Sequence, residues 1–177
     1  PRSVIPRVVI SPAILADLFR KYPEGHKYYI IFKLAYHTGA RIGEILGLTW
    51  DDIDFDAGRL SIRQQVLYSK GRGAHYFTPP KTAAGLRTLY IDDVLITALR
   101  KWRAICSESA VHMGGAYQCI YEDAARQLHT EPRIETPPDD WTPRPLICVD
   151  RYGLPIRYPA IQYALRLFKL NAHSFRH

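Results

Sequence analysis

The apolar positions fall first at helical spacing, then at strand spacing, then at helical spacing again. Ser11 before Pro12 and the run Ala13-Ile14-Leu15 gives an N-cap with proline in the first turn. A helix is predicted from there to about Tyr22, where Pro23 and Gly25 stop it. From His26 to Thr38, Tyr28, Ile31 and Leu34 or Ala35 share one face, and Gly39 supplies the left-handed residue that ends many helices. A short third helix is expected over Ile42 to Leu48. The run from Asp51 to Gly58 reads as a turn, after which Leu60, Ile62, Gln64 and Val66 alternate with Ser61, Arg63 and Gln65 as in a strand. His75 to Thr78 and Leu86 to Ile91, set off by Gly71, Gly73 and a Pro-Pro-Lys-Thr-Ala-Ala-Gly turn, are two further strands. Together they predict a small three-stranded antiparallel sheet.

Asp92 caps another helix through Trp102, with Val94, Leu95, Ala98, Leu99 and Trp102 as its buried stripe. Ser107 to Arg144 carries mixed signals, including a helical one over Tyr121 to Leu128, and ends in a proline-rich extended stretch from Thr136 to Pro145. Leu146 to Val149 reads as a short strand before the Asp150-Arg151-Tyr152-Gly153 turn. Pro159 opens a last amphipathic helix, with Ile161, Ala164, Leu165 and Phe168 on one face, before Asn171. The fold class is α+β, mainly helical, and 177 residues suffice for one core and one domain.

Charge and cysteine content narrow the picture. The chain has 24 Lys and Arg against 17 Asp and Glu, a formal charge of +7, which is the sign expected of a polyanion's partner. Three cysteines, Cys106, Cys119 and Cys148, are an odd number without framework spacing and point to a reducing compartment, so the cytoplasm is expected. The most apolar stretch, Tyr28 to Tyr36, is broken by Lys33 and falls far short of the roughly 20 residues a membrane span needs. Cys106, His112, Cys119 and His129 lack zinc-site spacing, so no metal is expected there.

Three segments carry candidate chemistry. In Thr38-Gly39-Ala40-Arg41-Ile42-Gly43-Glu44, a glycine turn presents Arg41 at a helix start as a planar fork of donors suited to phosphate, with Glu44 one turn later to orient it. Read alone, the pair equally describes a surface i,i+3 ion pair. In Thr78-Pro79-Pro80-Lys81-Thr82, Lys81 sits in a turn between strands, where an ammonium can reach into a cleft and donate a proton; alone it is also an ordinary solvated lysine. In His173-Ser174-Phe175-Arg176-His177, positions three apart put an imidazole and a guanidinium on one face if the segment is helical, although such pairs also arise by chance.

Taken in order, Thr38-Gly-Ala-Arg-Ile-Gly-Glu-Ile-Leu-Gly-Leu-Thr-Trp, then Lys81-Thr82 with Arg87 beyond, then His173-x-x-Arg176-His177, the three segments resemble the tyrosine recombinases of the phage-integrase family. Trp50-Asp51-Asp52-Ile53-Asp54 and Asp150-Arg151-Tyr152-Gly153-Leu154-Pro155-Ile156 resemble integrases of phages and conjugative transposons. The resemblance implies a catalytic domain for site-specific DNA recombination or integration, by metal-independent strand cleavage and rejoining through a 3′-phosphotyrosyl intermediate. In it Arg41 and Arg176 clamp the scissile phosphate, Lys81 protonates the leaving 5′ oxygen, His173 assists proton transfer and Glu44 supports the site. It implies no cofactor, double-stranded DNA at attachment sites as the partner, a tetramer on DNA for the full-length protein, no membrane, and a bacterial or phage-encoded origin.

In that family the attacking tyrosine follows the His-x-x-Arg segment, whereas none of the twelve tyrosines here follows Arg176. Residues 1–177 are therefore expected to be a catalytic domain truncated before its nucleophile, without the DNA-binding domain that usually precedes it, and unable to cleave alone. His177, directly after the arginine, is expected to be a structural neighbour. Two other readings remain: a non-catalytic DNA-binding module of the same fold, and an enzyme that uses the same arginines on a small phosphorylated substrate.

Overall fold

Ser11 opens the first helix, accepting a hydrogen bond from Ile14 N at 3.3 Å; α1 spans Pro12–Lys21. The computed structural model describes residues 10 to 175 apart from Lys70, Arg72 and Lys81, and of Ala83 the backbone alone. α2 is Tyr29–Thr38 and starts later than its apolar periodicity predicts, because His26 Nδ1 accepts from Tyr28 N at 3.1 Å and holds that segment in a turn. It ends at Gly39 with φ 60°. α3 is the short Ile42–Leu46, and α4, Asp93–Met113, is capped by Asp92, which accepts from Leu95 N at 2.8 Å. α5, Tyr158–Arg166, stops well before Asn171. No helix among the described residues is long and apolar enough to cross a membrane.

Among the described residues the strands make three small antiparallel sheets. β1 (Ile53–Asp54), β2 (Arg59–Ile62) and β5 (Arg87–Tyr90) pair in the order β1-β2-β5, with Leu60 opposite Leu89. β3 (Gln65–Ser69) and β4 (Ala74–Thr78) form a separate hairpin with Val66 opposite Phe77. The strand predicted over residues 60–66 is thus two strands. The chain breaks at Arg63-Gln64, where Gln64 Nε2 donates to Gly47 O and Gln65 Nε2 to Pro79 O, each at 3.2 Å, and beyond the break Gln65 is buried beside Val66 instead of alternating with it.

The helix expected over Tyr121 to Leu128 is not formed. β6 (Gln118–Glu122) and β7 (Leu128–Pro132) flank a turn there, and β8 (Thr142–Pro143) pairs with the other edge of β6. Asp123 Oδ1 accepts from Ala125 N and Gln127 N at 2.9 Å, and Arg126 takes φ 66°, so local side-chain bonds replace a helical ladder. Leu146 to Val149, expected as a strand, is instead held by isolated bridges of Thr49 to Leu146 and Val149 to Pro155. Two residues of the turn expected from Asp51 to Gly58 form β1.

One core unites these parts. Phe32, Leu34, Ile45, Leu60, Leu95, Leu99 and Phe175 are among its fully buried members. α2 packs on both α3 and α4, and Trp102 of α4 donates Nε1 to Ile147 O at 2.8 Å. α3 lies against β3 so closely that a Cβ on Gly47 would come within 3.1 Å of the Gln65 backbone, which only glycine allows without a shift.

Candidate active site

Arg41 is placed by the turn before it. Thr38 Oγ1 donates to Leu34 O at 2.6 Å and accepts from Ala40 N at 3.2 Å, so Thr38, Gly39 and Ala40 form a tight exit from α2. Arg41 then takes an extended backbone and caps α3. Glu44 fixes it twice. Its Oε2 accepts from Arg41 N at 3.0 Å, and its Oε1 accepts from Arg41 Nη1 at 2.7 Å. A guanidinium has five N–H donors, so most of Arg41's fork remains for another acceptor.

Arg87 completes this cluster. Its Nη2 donates to Glu44 Oε2 at 2.9 Å and its Nη1 to Gly85 O at 3.0 Å, tying β5 and the Ala83–Gly85 turn to the start of α3. In the sequence Arg87 stands out only as lying beyond Lys81; its place in step with Leu89 on β5 and with Ile91 just past it is the signal that its side chain faces inward. Glu44 is 1% exposed. Burial by itself would raise its pKa, but the hydrogen bonds from Arg87 and from Arg41 outweigh it and hold the carboxyl below its ordinary value.

His173 reaches the same place from the far end of the chain. It lies in a turn rather than a helix, its backbone N donating to Asn171 Oδ1 at 2.8 Å, while Ser174 Oγ accepts from Asn171 N at 3.1 Å. Phe175 anchors the turn, stacked on Phe32 of α2 with centroids 6.0 Å apart; its carbonyl lies 3.9 Å from where a Cβ on Gly39 would stand. The turn that carries His173 thus packs on the turn that presents Arg41. The two side chains line one cleft of about 460 Å³ with Gly43, Gln65, Tyr68 and Tyr158. Lys81 and Arg176 lie outside the described residues. Pro80, just before Lys81, follows Pro79, whose carbonyl Gln65 holds beside the cleft.

A smaller cavity of about 200 Å³ adjoins this cleft, sharing Val66, Tyr68, Tyr158 and Pro159, and adds His75 and Arg157. Burial pushes the His75 pKa down, and the nearby Arg157 cation adds to the effect. Chemically, the combined cleft offers the pre-oriented Arg41 guanidinium, a second guanidinium in Arg157, the imidazoles of His173 and His75, and the hydroxyl-bearing rings of Tyr68 and Tyr158, a set suited to an anion. A cavity of similar size near Cys106, Tyr117 and Cys119 lies apart from all of these residues.

The sequence model described as the Phage integrase family matches residues 13–128. A tyrosine recombinase XerC-like protein of Caldanaerobacter subterraneus is 35% identical over 101 residues, 53% of this chain and 26% of that protein. The prophage integrase IntR of Escherichia coli K12 is 32% identical over 71 residues, 40% of this chain and 16% of that one. Among solved structures, the Tn1549 transposon integrase bound to transposon right-end DNA aligns over 99% of this chain and 52% of its own, with a TM-score of 0.65 at 20% identity. The XerA recombinase aligns with a TM-score of 0.55 at 15% identity. The aligned stretch is at most about a quarter of these curated relatives and about half of the solved chain.

Proposed function

Because the chain belongs to the phage integrase family, we propose that it is a tyrosine-recombinase catalytic domain that cleaves and rejoins double-stranded DNA at specific sites. The observation that supports this most is the common cleft of Arg41 and His173, brought together from distant parts of the sequence. In this reading the scissile phosphate sits in that cleft. A tyrosine oxygen attacks phosphorus, the bond to the 5′ oxygen breaks, and a 3′-phosphotyrosyl link forms. Attack by a 5′ hydroxyl reverses the step and restores the phosphodiester.

Charge builds on the equatorial phosphate oxygens during each displacement, so catalysis depends on fixed donors. Arg41 supplies them, held at a set angle by Glu44, and Arg176 is assigned the opposite side of the same phosphate. Lys81 donates the proton that the leaving 5′ oxygen takes up, and His173 assists that transfer. None of the twelve tyrosines in residues 1–177 is assigned as the nucleophile. The expected setting is the cytoplasm, with a tetramer assembled on DNA and no cofactor required.

The test uses the full-length gene product and a duplex nicked just beyond the cleavage point, so that the short 5′-hydroxyl fragment is lost and the covalent complex accumulates. With chelator present, a denaturing gel should show a protein–DNA adduct that yields phosphotyrosine on acid hydrolysis. Absence of an adduct, or one through serine, overturns the proposal.

A further inference from the structure

The sheet formed by β6, β7 and β8 packs on the active-site hairpin through β7 and β4, and the β6–β7 turn adds a bonded junction at Arg126. Its carbonyl accepts from Phe77 N of β4 at 2.9 Å, and the next residue, Gln127, bridges Tyr76. Its side chain runs the same way. Arg126 Nη2 donates to Gln64 Oε1 at 3.0 Å, and its guanidinium lies 5.5 Å from the ring centroid of the buried Phe77. Gln64 in turn donates to Gly47 O at the end of α3. At the root, Arg126 Nε stands 2.8 Å from Oε1 of Glu122, a carboxylate 4% exposed whose Oε2 accepts from Arg144 Nε at 2.5 Å. A continuous path therefore runs from Arg144 beside the sheet through Glu122, Arg126 and Gln64 to Gly47 at the C-terminal end of α3, the helix that Arg41 caps at its other end.

The backbone of Arg126 is unusual as well. It takes φ 66°, a conformation natural to glycine and unfavourable for a long side chain. Glycine would satisfy the turn that Asp123 builds. Arginine does so only at a cost in backbone strain, and its side chain is committed to partners on other elements.

We propose that Arg126 is a positioning residue through which the β6–β8 sheet sets the geometry of the β3–β4 hairpin and of α3. This rests on the assignment of the cleft as the site of DNA cleavage, but the brace itself is a claim about coupling and can be tested apart from it.

The experiment compares Arg126→Gly, Arg126→Lys and Gln64→Met with the unaltered full-length protein. For Arg126→Gly the melting temperature should fall by only a few degrees, because relief of the left-handed residue offsets part of the lost Glu122 pair, and Arg144 still serves that carboxylate. Amide hydrogen exchange should nevertheless quicken in residues 65–78 and 42–47 and not in α1 or α2. Single-turnover cleavage at saturating DNA should fall roughly tenfold, since small misplacements of catalytic groups are costly, with DNA affinity unchanged within about threefold. Gln64→Met should reproduce the exchange and cleavage changes, and Arg126→Lys, which keeps the charge, should recover part of the rate. Unaltered exchange in the hairpin, or a loss of cleavage matched by an equal loss of DNA affinity, overturns the brace. If no form of the protein cleaves DNA, the catalytic reading fails, and the exchange comparison still decides the coupling.

Discussion

Glu44 is the residue on which the cleft most depends, and Glu44→Gln isolates its charge while keeping its shape. The carboxylate is 1% exposed and serves two guanidiniums whose side chains are 33% and 27% exposed. Removing one partner from a buried ion pair costs about 3–5 kcal/mol. Here the arginines can partly rehydrate, but the new amide must turn a donor towards N–H groups that are themselves donors. A loss of roughly 2–3 kcal/mol is expected on balance. At about 2–4 °C per kcal/mol for a domain of this size, the melting temperature should drop by roughly 5–10 °C at pH 7.

The pH dependence adds a sign. The pKa of Glu44 is lower in the folded state than its ordinary 4.5, so its stabilisation is fully present above that value and is lost as pH falls through the folded pKa. Melting curves of Glu44→Gln and the unaltered protein, followed by circular dichroism, should therefore be far apart at neutral pH and converge on acidification. Asp54→Asn, which breaks the exposed Asp54–Arg59 pair, is the control and should move the curve little at any pH. A melting temperature unchanged by Glu44→Gln at pH 7, or a gap that widens towards low pH, would show that the Glu44 charge does not hold the two guanidiniums.

Other consequences follow from geometry and charge. Gly153→Ala would put a Cβ 2.0 Å from Gln118 O at a residue with φ 79°, and should destabilise the fold by on the order of 2–4 kcal/mol, readable in chemical denaturation. Burial pushes the Cys106 thiol up to about 12 and Cys148 higher still, so both should resist iodoacetamide at pH 8 in the native protein and react once it is unfolded; rapid native labelling of either would contradict this. Affinity of residues 1–177 for a fluorescent duplex should fall at least roughly tenfold between 50 and 200 mM salt, through counterion release to a +7 chain. Salt-indifferent binding would count against a DNA-facing cleft.

The helices were legible because their signals are local: Ser11 and Asp92 as caps, Gly39 as a left-handed stop, and apolar residues at helical spacing. The sheets were less so. Alternation from Leu60 to Val66 cannot reveal that the chain changes partners at Arg63-Gln64, since that choice depends on Gly47 and Pro79, distant in sequence. The span Tyr121 to Leu128 has apolar residues at helical spacing, yet Asp123 captures the backbone amides that a helix would use. At the site, Arg41 and Glu44 were legible as neighbours one turn apart. The second guanidinium on Glu44, and the packing of Phe175 that carries His173 to Arg41, depend on tertiary contacts that no local pattern encodes.

In the proposed reading Arg41 neutralises the charge of a phosphate held in the cleft it shares with His173. The direct measurement replaces the scissile phosphate of the nicked duplex by a methylphosphonate, which carries no charge, and follows covalent adduct formation by the full-length protein and by Arg41→Ala. On the natural phosphate, Arg41→Ala should be slower by about 10²-fold or more. On the methylphosphonate that deficit should largely vanish, because there is no longer a charge for the missing guanidinium to offset. An Arg41→Ala protein equally impaired on both substrates, or unimpaired on the natural one, would rule out that role for Arg41.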